Sequence, residues 1–236
     1  MSSSTPDHQP RPFVDLMVSI VIPSVILMKL SGDEHLGSVN ALLLALAFPL
    51  GWGVFELVKY GKKNFIALLG MVSVGLTGGI GLLELDAGYL AIKEAAIPAI
   101  IGLAVLISTR TRYPLIRTML YNPNVVNVDK VHAALEKNNA TAEFDNRLMK
   151  ATYMFASTFL FSSIMNYVVA KWIVVSPSGT QAFNEELGRM TLMSYPLIAI
   201  PSMIMMMLIF YYLWRTIRRL TGYTLEEVLA PHLADK

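Results

Sequence analysis

Apolar runs close to the length of a membrane-spanning helix recur along this chain of 236 residues. A helix of about 20 apolar residues crosses the hydrocarbon core of a bilayer, where only helices and closed barrels satisfy all their backbone hydrogen bonds. Charged residues make up 15% of the chain, against about 25% in an ordinary soluble domain. The sequence therefore predicts an all-α fold, a polytopic membrane helix bundle whose main partner is the lipid bilayer.

The apolar runs predict about six transmembrane helices, four between residues 13 and 109 and two between residues 147 and 220. Their approximate limits are 13–30, 39–58, 65–83, 88–109, 148–175 and 190–214.

The polar segments between and around these runs have their own predictions. Residues 1–12 are expected to form a short disordered tail and not a signal peptide, because a basic region followed by an apolar core is missing. Residues 110–146 are expected to form a loop with an amphipathic helix over 129–137. In the tail 221–236, Thr224 and Glu227 have the spacing of a capping box.

The basic residues indicate how the helices are oriented. With six spans, both termini, the turn at 59–64 and the loop 110–146 share one side of the membrane. That side holds all 19 lysines and arginines except Lys29, Lys93, Lys171 and Arg189. Positive charge collects on the cytoplasmic side, so we predict that both termini, the loop 110–146 and the tail 221–236 are cytoplasmic.

Charged residues stand inside the fourth apolar segment, where Lys93 and Glu94 follow an entry at about Gly88. Charges within a membrane helix usually face the protein interior or a water-filled cavity. Neighbouring residues on a helix point about 100° apart, so we expect that Lys93 and Glu94 do not pair with each other. The alternative is that Lys93 extends its stem to the headgroups and has only a structural role.

Three more polar residues are candidates for an intramembrane polar site. Asn166, in the middle of the fifth segment, either binds across a helix interface or joins Lys93 and Glu94. Glu84 and Asp86 lie in the turn before the fourth segment. They either solvate the hairpin turn or receive a cation or a proton.

Glycines and prolines are expected to shape the helices. Gly75 and Gly79 form a small-xxx-small pair, and Gly78 and Gly81 widen the same flat face, which predicts close helix packing. Five prolines inside the apolar segments each remove a backbone donor and predict helix kinks: Pro23, Pro49, Pro98, Pro196 and Pro201.

Composition and motifs argue against several classes of site. The absence of cysteine excludes disulfides, zinc–thiolate sites and cysteine-ligated iron–sulfur clusters. The sequence contains no phosphate-binding glycine loop, zinc-protease motif or nucleophile elbow, and its four histidines lie in loops or tails. We therefore expect no catalytic residue, metal, cofactor or nucleic-acid partner, and we do not expect an enzyme.

Residues 65–175 resemble the bacterial intracellular septation protein A family of inner-membrane proteins. The family has a glycine-bearing helix, an acidic turn, a Phe-Ile-Lys-Trp-Lys entry into the next helix, and a following Lys-Pro-Leu-Ile segment. The matching residues here are Gly78-Gly79, Asp86, Leu90–Lys93, Leu106–Ser108, Tyr113–Ile116 and Met165-Asn166. The chain departs from the family where Trp-Lys becomes Glu94-Ala95, and it has longer loops and a sixth apolar segment, which is typical of a related, uncharacterised proteobacterial branch.

This resemblance implies a bacterial inner-membrane protein with a non-enzymatic role in envelope organisation, septation or membrane homeostasis. Such a protein would act through contacts with other inner-membrane proteins of the envelope machinery, and its oligomeric state stays open. The residues themselves support a second hypothesis, a small transporter or a lipid or solute carrier with a polar site at Lys93 and Glu94. The two hypotheses differ in whether function depends on the loop 110–146 or on that site.

Overall fold

A computed structural model describes residues 12–60, 65–111, 121 and 126–228 of the chain. Over these ranges the regular structure is helical and contains no strand, which confirms the all-α class for this part of the chain. The predicted tail 1–12 lies outside the described residues except for Pro12. Most of the first half of the loop 110–146 and the last residues of the C-terminal tail also lie outside them.

The helices follow one another in a simple order. The first helical run consists of α1, a five-residue π-helical turn and α2, which cover Pro12–Leu16, Met17–Val21 and Ile22–Leu30. Helices α3 to α6 are Gly37–Tyr60, Phe65–Leu82, Gly88–Ser108 and Val128–Lys137. Helices α7 and α8 are Thr141–Ile173 and Gln181–Ser194. A second π-helical turn, Tyr195–Ala199, leads into α9, which is Ile200–Thr221. The short helix α10, Leu225–Val228, comes last.

Five helical runs among the described residues are long and apolar enough to cross a membrane. They are Phe13–Leu30, Gly37–Phe55, Gly88–Ser108, Thr141–Ile173 and Gln181–Thr221. A shorter apolar helix, Leu68–Leu82, lies in the third predicted segment. The chain is therefore compatible with a multi-pass membrane protein: about six spans were expected, and the described residues contain five candidate spans and, in the third predicted segment, the apolar helix Leu68–Leu82.

Two helix starts differ from the sequence prediction. Helix α8 begins at Gln181, in the polar stretch between the predicted fifth and sixth segments, because Thr180 caps it by accepting a hydrogen bond from the Phe183 backbone N–H at 3.1 Å. Helix α7 begins at Thr141, before the predicted end of the loop 110–146. Its first turns are stabilised by an ion pair one turn apart, in which Arg147 binds Glu143 at 2.8 Å.

The five prolines occupy two kinds of position. Pro23 and Pro201 stand at the start of α2 and α9, each directly after a π-helical turn, and Pro196 lies within the second of these turns. Pro49 and Pro98 lie inside α3 and α5, which continue past them. A proline cannot donate to the carbonyl four residues earlier, and a π turn is one way to absorb that missing bond.

The chain forms two compact units, of which the first comprises Met1–Ala95 and Met165–Leu197. In this unit α2 packs against α8 and α3, and α3 packs against α4. Its buried side chains include Leu27, Leu42, Leu90, Val169 and Phe183.

The second unit comprises Ala96–Ile164 and Ile198–Lys236. Its core joins Val105 to residues of α6, α7 and α9, among them Leu135, Phe155, Ile209 and Leu213. The amphipathic helix expected over 129–137 is present as α6, with Asn127 as its cap. Two hydrogen bonds tie this region together: the Asn127 backbone N–H donates to the Val228 carbonyl at 2.8 Å, and the Asn138 side-chain amide donates to the Leu220 carbonyl at 2.9 Å.

Candidate functional site

Lys93 and Glu94 form an ion pair near the start of α5. The Lys93 ammonium lies 2.7 Å from a Glu94 carboxylate oxygen, so the expectation that these neighbours would not pair is wrong. The 100° between adjacent residues describes where the Cα–Cβ bonds point. The long, flexible stems of both side chains reach across that angle, and their charged ends meet.

The lysine is held by α4 as well as by its neighbour. Its ammonium donates to the Thr77 hydroxyl at 2.7 Å, to the Ser73 hydroxyl at 3.2 Å and to the Ser73 carbonyl at 3.4 Å. Ser73 and Thr77 are four residues apart and therefore share one face of α4. The Lys93 side chain is only 8% exposed, so it lies packed against α4.

The ion pair borders a cavity of about 170 Å³ within the first unit. Helices α2, α3, α4, α5 and α8 and the first π-helical turn all contribute to its wall. The polar lining residues are Ser19, Ser24, Ser73, Thr77, Lys93, Glu94 and Thr191, and the rest of the lining is mainly apolar and includes Pro23 and Pro49. A water molecule occupies about 30 Å³ in the liquid, so the cavity has room for several waters or for one small solute.

Ser24 is the one lining hydroxyl in the described part of the chain that is both buried and without a hydrogen-bond partner. Its residue is 1% exposed, and its Oγ makes no bond among the described residues. A buried hydroxyl without a partner is unfavourable by about 1–3 kcal/mol. An occupant of the cavity that accepts or donates a hydrogen bond would remove this penalty.

Ser19 lies in the π-helical turn Met17–Val21 and Ser24 lies in α2, and both line the cavity. Pro23 and Leu27, which also line it, follow Ser19 by four and eight residues. Residues with this spacing share one face of a helix, so the first helical run presents one continuous side to the cavity.

The remaining predicted polar residues lie elsewhere. Asn166 is half-buried and is not among the lining residues of the cavity. Glu84 and Asp86 line a separate surface depression of about 560 Å³, together with Lys171 and residues 174–178. Asp86 caps α5 by accepting the Gly88 backbone N–H at 2.6 Å. The structure therefore brings Lys93 and Glu94 together and places the other three residues apart from them.

The glycine face of α4 packs through a different register from the one expected. A Cβ at Gly78 would lie 2.6 Å from Leu46, and a Cβ at Gly81 would lie 2.5 Å from Leu42. A Cβ at Gly75 or Gly79 would meet no atom within 4 Å. The close approach of α4 to α3 therefore depends on Gly78 and Gly81.

The sequence analysis did not identify several residues that contribute to the site or to the packing of the same unit. Ser73 and Thr77 are a spaced hydroxyl pair in an apolar helix, and that spacing is the signal that could have identified them. Asn184 lies outside the predicted apolar segments but is fully buried, and its amide donates to the Ser38 carbonyl at 2.8 Å and to the Ser31 hydroxyl at 3.1 Å. Within the described ranges, no three histidine, aspartate or glutamate residues are grouped so that they could hold a metal ion.

Comparisons with protein-family models, with curated proteins and with solved structures match this chain to none of them. The resemblance to the septation family therefore remains a prediction from the residues quoted for it, and the site is interpreted from its own geometry.

Proposed function

We propose that this chain is a membrane carrier that binds a small polar solute in the cavity beside Lys93 and Glu94. The observation that supports the proposal most directly is the ion pair of Lys93, which is 8% exposed, and Glu94, which is 25% exposed, because this pair borders a cavity with seven polar lining residues between apolar helices. Charged groups in such surroundings are costly, and they commonly mark a solute or ion pathway. A packed apolar contact would stabilise the helices at least as well as this ion pair does.

The lining favours a neutral or zwitterionic solute. The charges of Lys93 and Glu94 offset each other, so the cavity carries no net formal charge. Its hydroxyls donate and accept hydrogen bonds, and the Oγ of Ser24 has no partner in the described structure. A solute of a few heavy atoms with both donors and acceptors, such as urea, glycerol or glycine, matches this volume and chemistry.

Liposome swelling tests the proposal directly. The purified chain is reconstituted, and the uptake of urea, glycerol and glycine is followed by stopped-flow light scattering. We expect at least one solute to enter faster than in protein-free liposomes. Ser24→Leu should abolish the difference, because the larger side chain fills the cavity.

The matched control is Ser157→Leu, which makes the same change at an exposed serine of the second unit. It should leave the uptake rate unchanged. Equal uptake into empty, wild-type and Ser24→Leu liposomes for all three solutes would refute the carrier proposal.

We also propose a second function, the envelope role implied by the family resemblance, in the bacterial inner membrane with both termini cytoplasmic. The observation that favours it is the amphipathic helix α6 of the second unit, which has one buried face and one charged, exposed face. Helix α6 buries Val131 and Leu135 and exposes Asp129, Glu136 and Lys137. An ordered helix with a charged outer face is suited to contacts with another protein.

Complementation of a deletion strain separates the two functions. A variant with alanine at Asp129, Glu136 and Lys137 keeps the buried face of α6 but removes its outer charges. If the chain organises the envelope, this variant should fail to restore cell shape while Ser24→Leu succeeds. The opposite result would support the carrier function, and blots of membrane fractions control for expression of both variants.

A further inference from the structure

Four oxygen atoms surround the ammonium of Lys93. They are the Thr77 hydroxyl at 2.7 Å, a Glu94 carboxylate oxygen at 2.7 Å, and the hydroxyl and carbonyl of Ser73 at 3.2 and 3.4 Å. The Thr77 hydroxyl gives its own proton to the Ser73 carbonyl at 3.1 Å. Its lone pairs therefore point toward the cation, and every group in this set acts as an acceptor.

This donor set has the chemistry of a cation site. Carboxylate, carbonyl and hydroxyl oxygens are hard ligands that suit hard cations. The set carries one formal negative charge, and its other oxygens are neutral. A divalent ion such as Ca²⁺ takes 6–8 oxygen ligands, often from several carboxylates, so four oxygens with a single negative charge favour a monovalent ion.

We propose that Ser73, Thr77 and Glu94 form a binding site for a monovalent cation, and that the ammonium of Lys93 is its tethered occupant. The ligand class is Na⁺, K⁺ or ammonium. The tether keeps the effective concentration of the lysine ammonium high, so free ions compete poorly in the wild-type chain. This proposal concerns binding alone and stands whether or not the chain carries a solute.

Removing the lysine side chain should convert the site into one for free ions. Lys93→Ala leaves the Glu94 carboxylate beside three other oxygens with no cation, and an uncompensated charge in such a site is strongly destabilising. The adjoining cavity is wide enough to admit an ion. A monovalent ion that enters there restores charge balance and replaces the contacts that the ammonium made.

The test measures the melting temperature of the purified full-length chain in detergent. Lys93→Ala is titrated with NH₄Cl, KCl or NaCl, and choline chloride, whose cation is too bulky for four converging oxygens, keeps the ionic strength constant. We expect a saturable rise of about 3–6 °C at ten times the dissociation constant. Ammonium and potassium should act at lower concentration than sodium because their size is closer to that of the lysine ammonium, and MgCl₂ should have no specific effect.

Three controls make the result decisive. The wild type and Lys29→Ala, which removes an exposed lysine of the same unit, should not respond to the exchange of choline for potassium. Lys93→Ala combined with Glu94→Gln should lose the response, because the negative charge of the site is gone. If Lys93→Ala does not fold in choline, Lys93→Gln, which leaves a shorter polar side chain beside Thr77, takes its place in the same series.

A variant without Lys93 that melts at the same temperature in choline and in potassium would overturn the proposal. So would a potassium response that persists after Glu94→Gln, because the ion would then bind elsewhere.

Discussion

The contact of Gly188 with α2 gives the sharpest stability prediction in the first unit. A Cβ at this position would lie 2.8 Å from the backbone carbonyl oxygen of Ser24, 2.8 Å from the Met28 Cγ and 3.3 Å from the Leu27 Cβ. The Met28 side chain can rotate away, but the carbonyl of Ser24 belongs to a helix backbone and cannot. Gly188→Ala must therefore push α8 and α2 apart.

The size of the effect follows from two opposing contributions. Overpacking a tight contact is unfavourable by about 1–3 kcal/mol, and the backbone clash favours the upper end of that range. Alanine is better than glycine within a helix by about 0.5–1 kcal/mol. The net loss is about 2 kcal/mol, which lowers the melting temperature of a chain of this size by roughly 4–8 °C.

Gly75→Ala is the matched control, since a Cβ there meets no atom within 4 Å. It gains the helix preference without a clash and should raise the melting temperature by roughly 1–4 °C. The measurement is the melting temperature of both variants and of the wild type in detergent, followed by circular dichroism. If Gly188→Ala melts at or above the wild-type temperature, the close α2–α8 contact is not as described.

Three other sites give predictions of their own. Asn184→Ala should lose about 1–3 kcal/mol, since the amide of this fully buried residue bonds Ser31 and Ser38; the shift in melting temperature measures the loss. Glu186→Gln should speed amide exchange at Ser176, because the carboxylate accepts the Val175 and Ser176 backbone N–H groups at 2.9 and 2.8 Å and the Ser176 hydroxyl at 2.7 Å. The backbone N–H of Thr224 is the main cause that holds the pKa of Glu227 below its usual value of 4.5. The stabilisation from Glu227 is therefore complete above about pH 4.5 and is lost as pH falls through the lower folded pKa. The protection of the Val228 amide from exchange, measured relative to its intrinsic exchange rate at each pH, should therefore fall in acid in the wild type and lose that dependence in Glu227→Gln.

The sequence predicted the helices well because a membrane places simple demands on a chain. Length and apolar composition alone locate a spanning helix, and charged residues inside such a run stand out. Lys93 and Glu94 were found for that reason. Helix α8 was harder to predict because its first turns carry Glu185 and Glu186 among apolar residues, and only the burial of Phe183 and Leu187 reveals the packed face.

The details of the site depend on geometry that spacing does not encode. Angles around a helix describe the start of a side chain and leave out its reach, so the Lys93–Glu94 pair was missed. A serine such as Ser24 is common in apolar helices and carries no distinctive pattern. Its role depends on α8 packing against α2, which is a contact between residues far apart in the chain.

The π-helical turn Met17–Val21 also makes the first helical run tolerant of a single-codon deletion. A π turn holds one residue more than an α turn, so loss of one residue there, such as Val18, would let the run become a regular helix. Four residues of α-helix turn the chain by nearly the same angle as five residues of π-helix, so the parts before and after the turn would keep their faces. Asp15 would therefore still face the Trp52 indole N–H, which now donates to it at 3.2 Å. In a regular helix the loss of one interior residue rotates everything on one side of it by about 100°, whereas here the gene can lose one codon and leave the same side chains facing their partners.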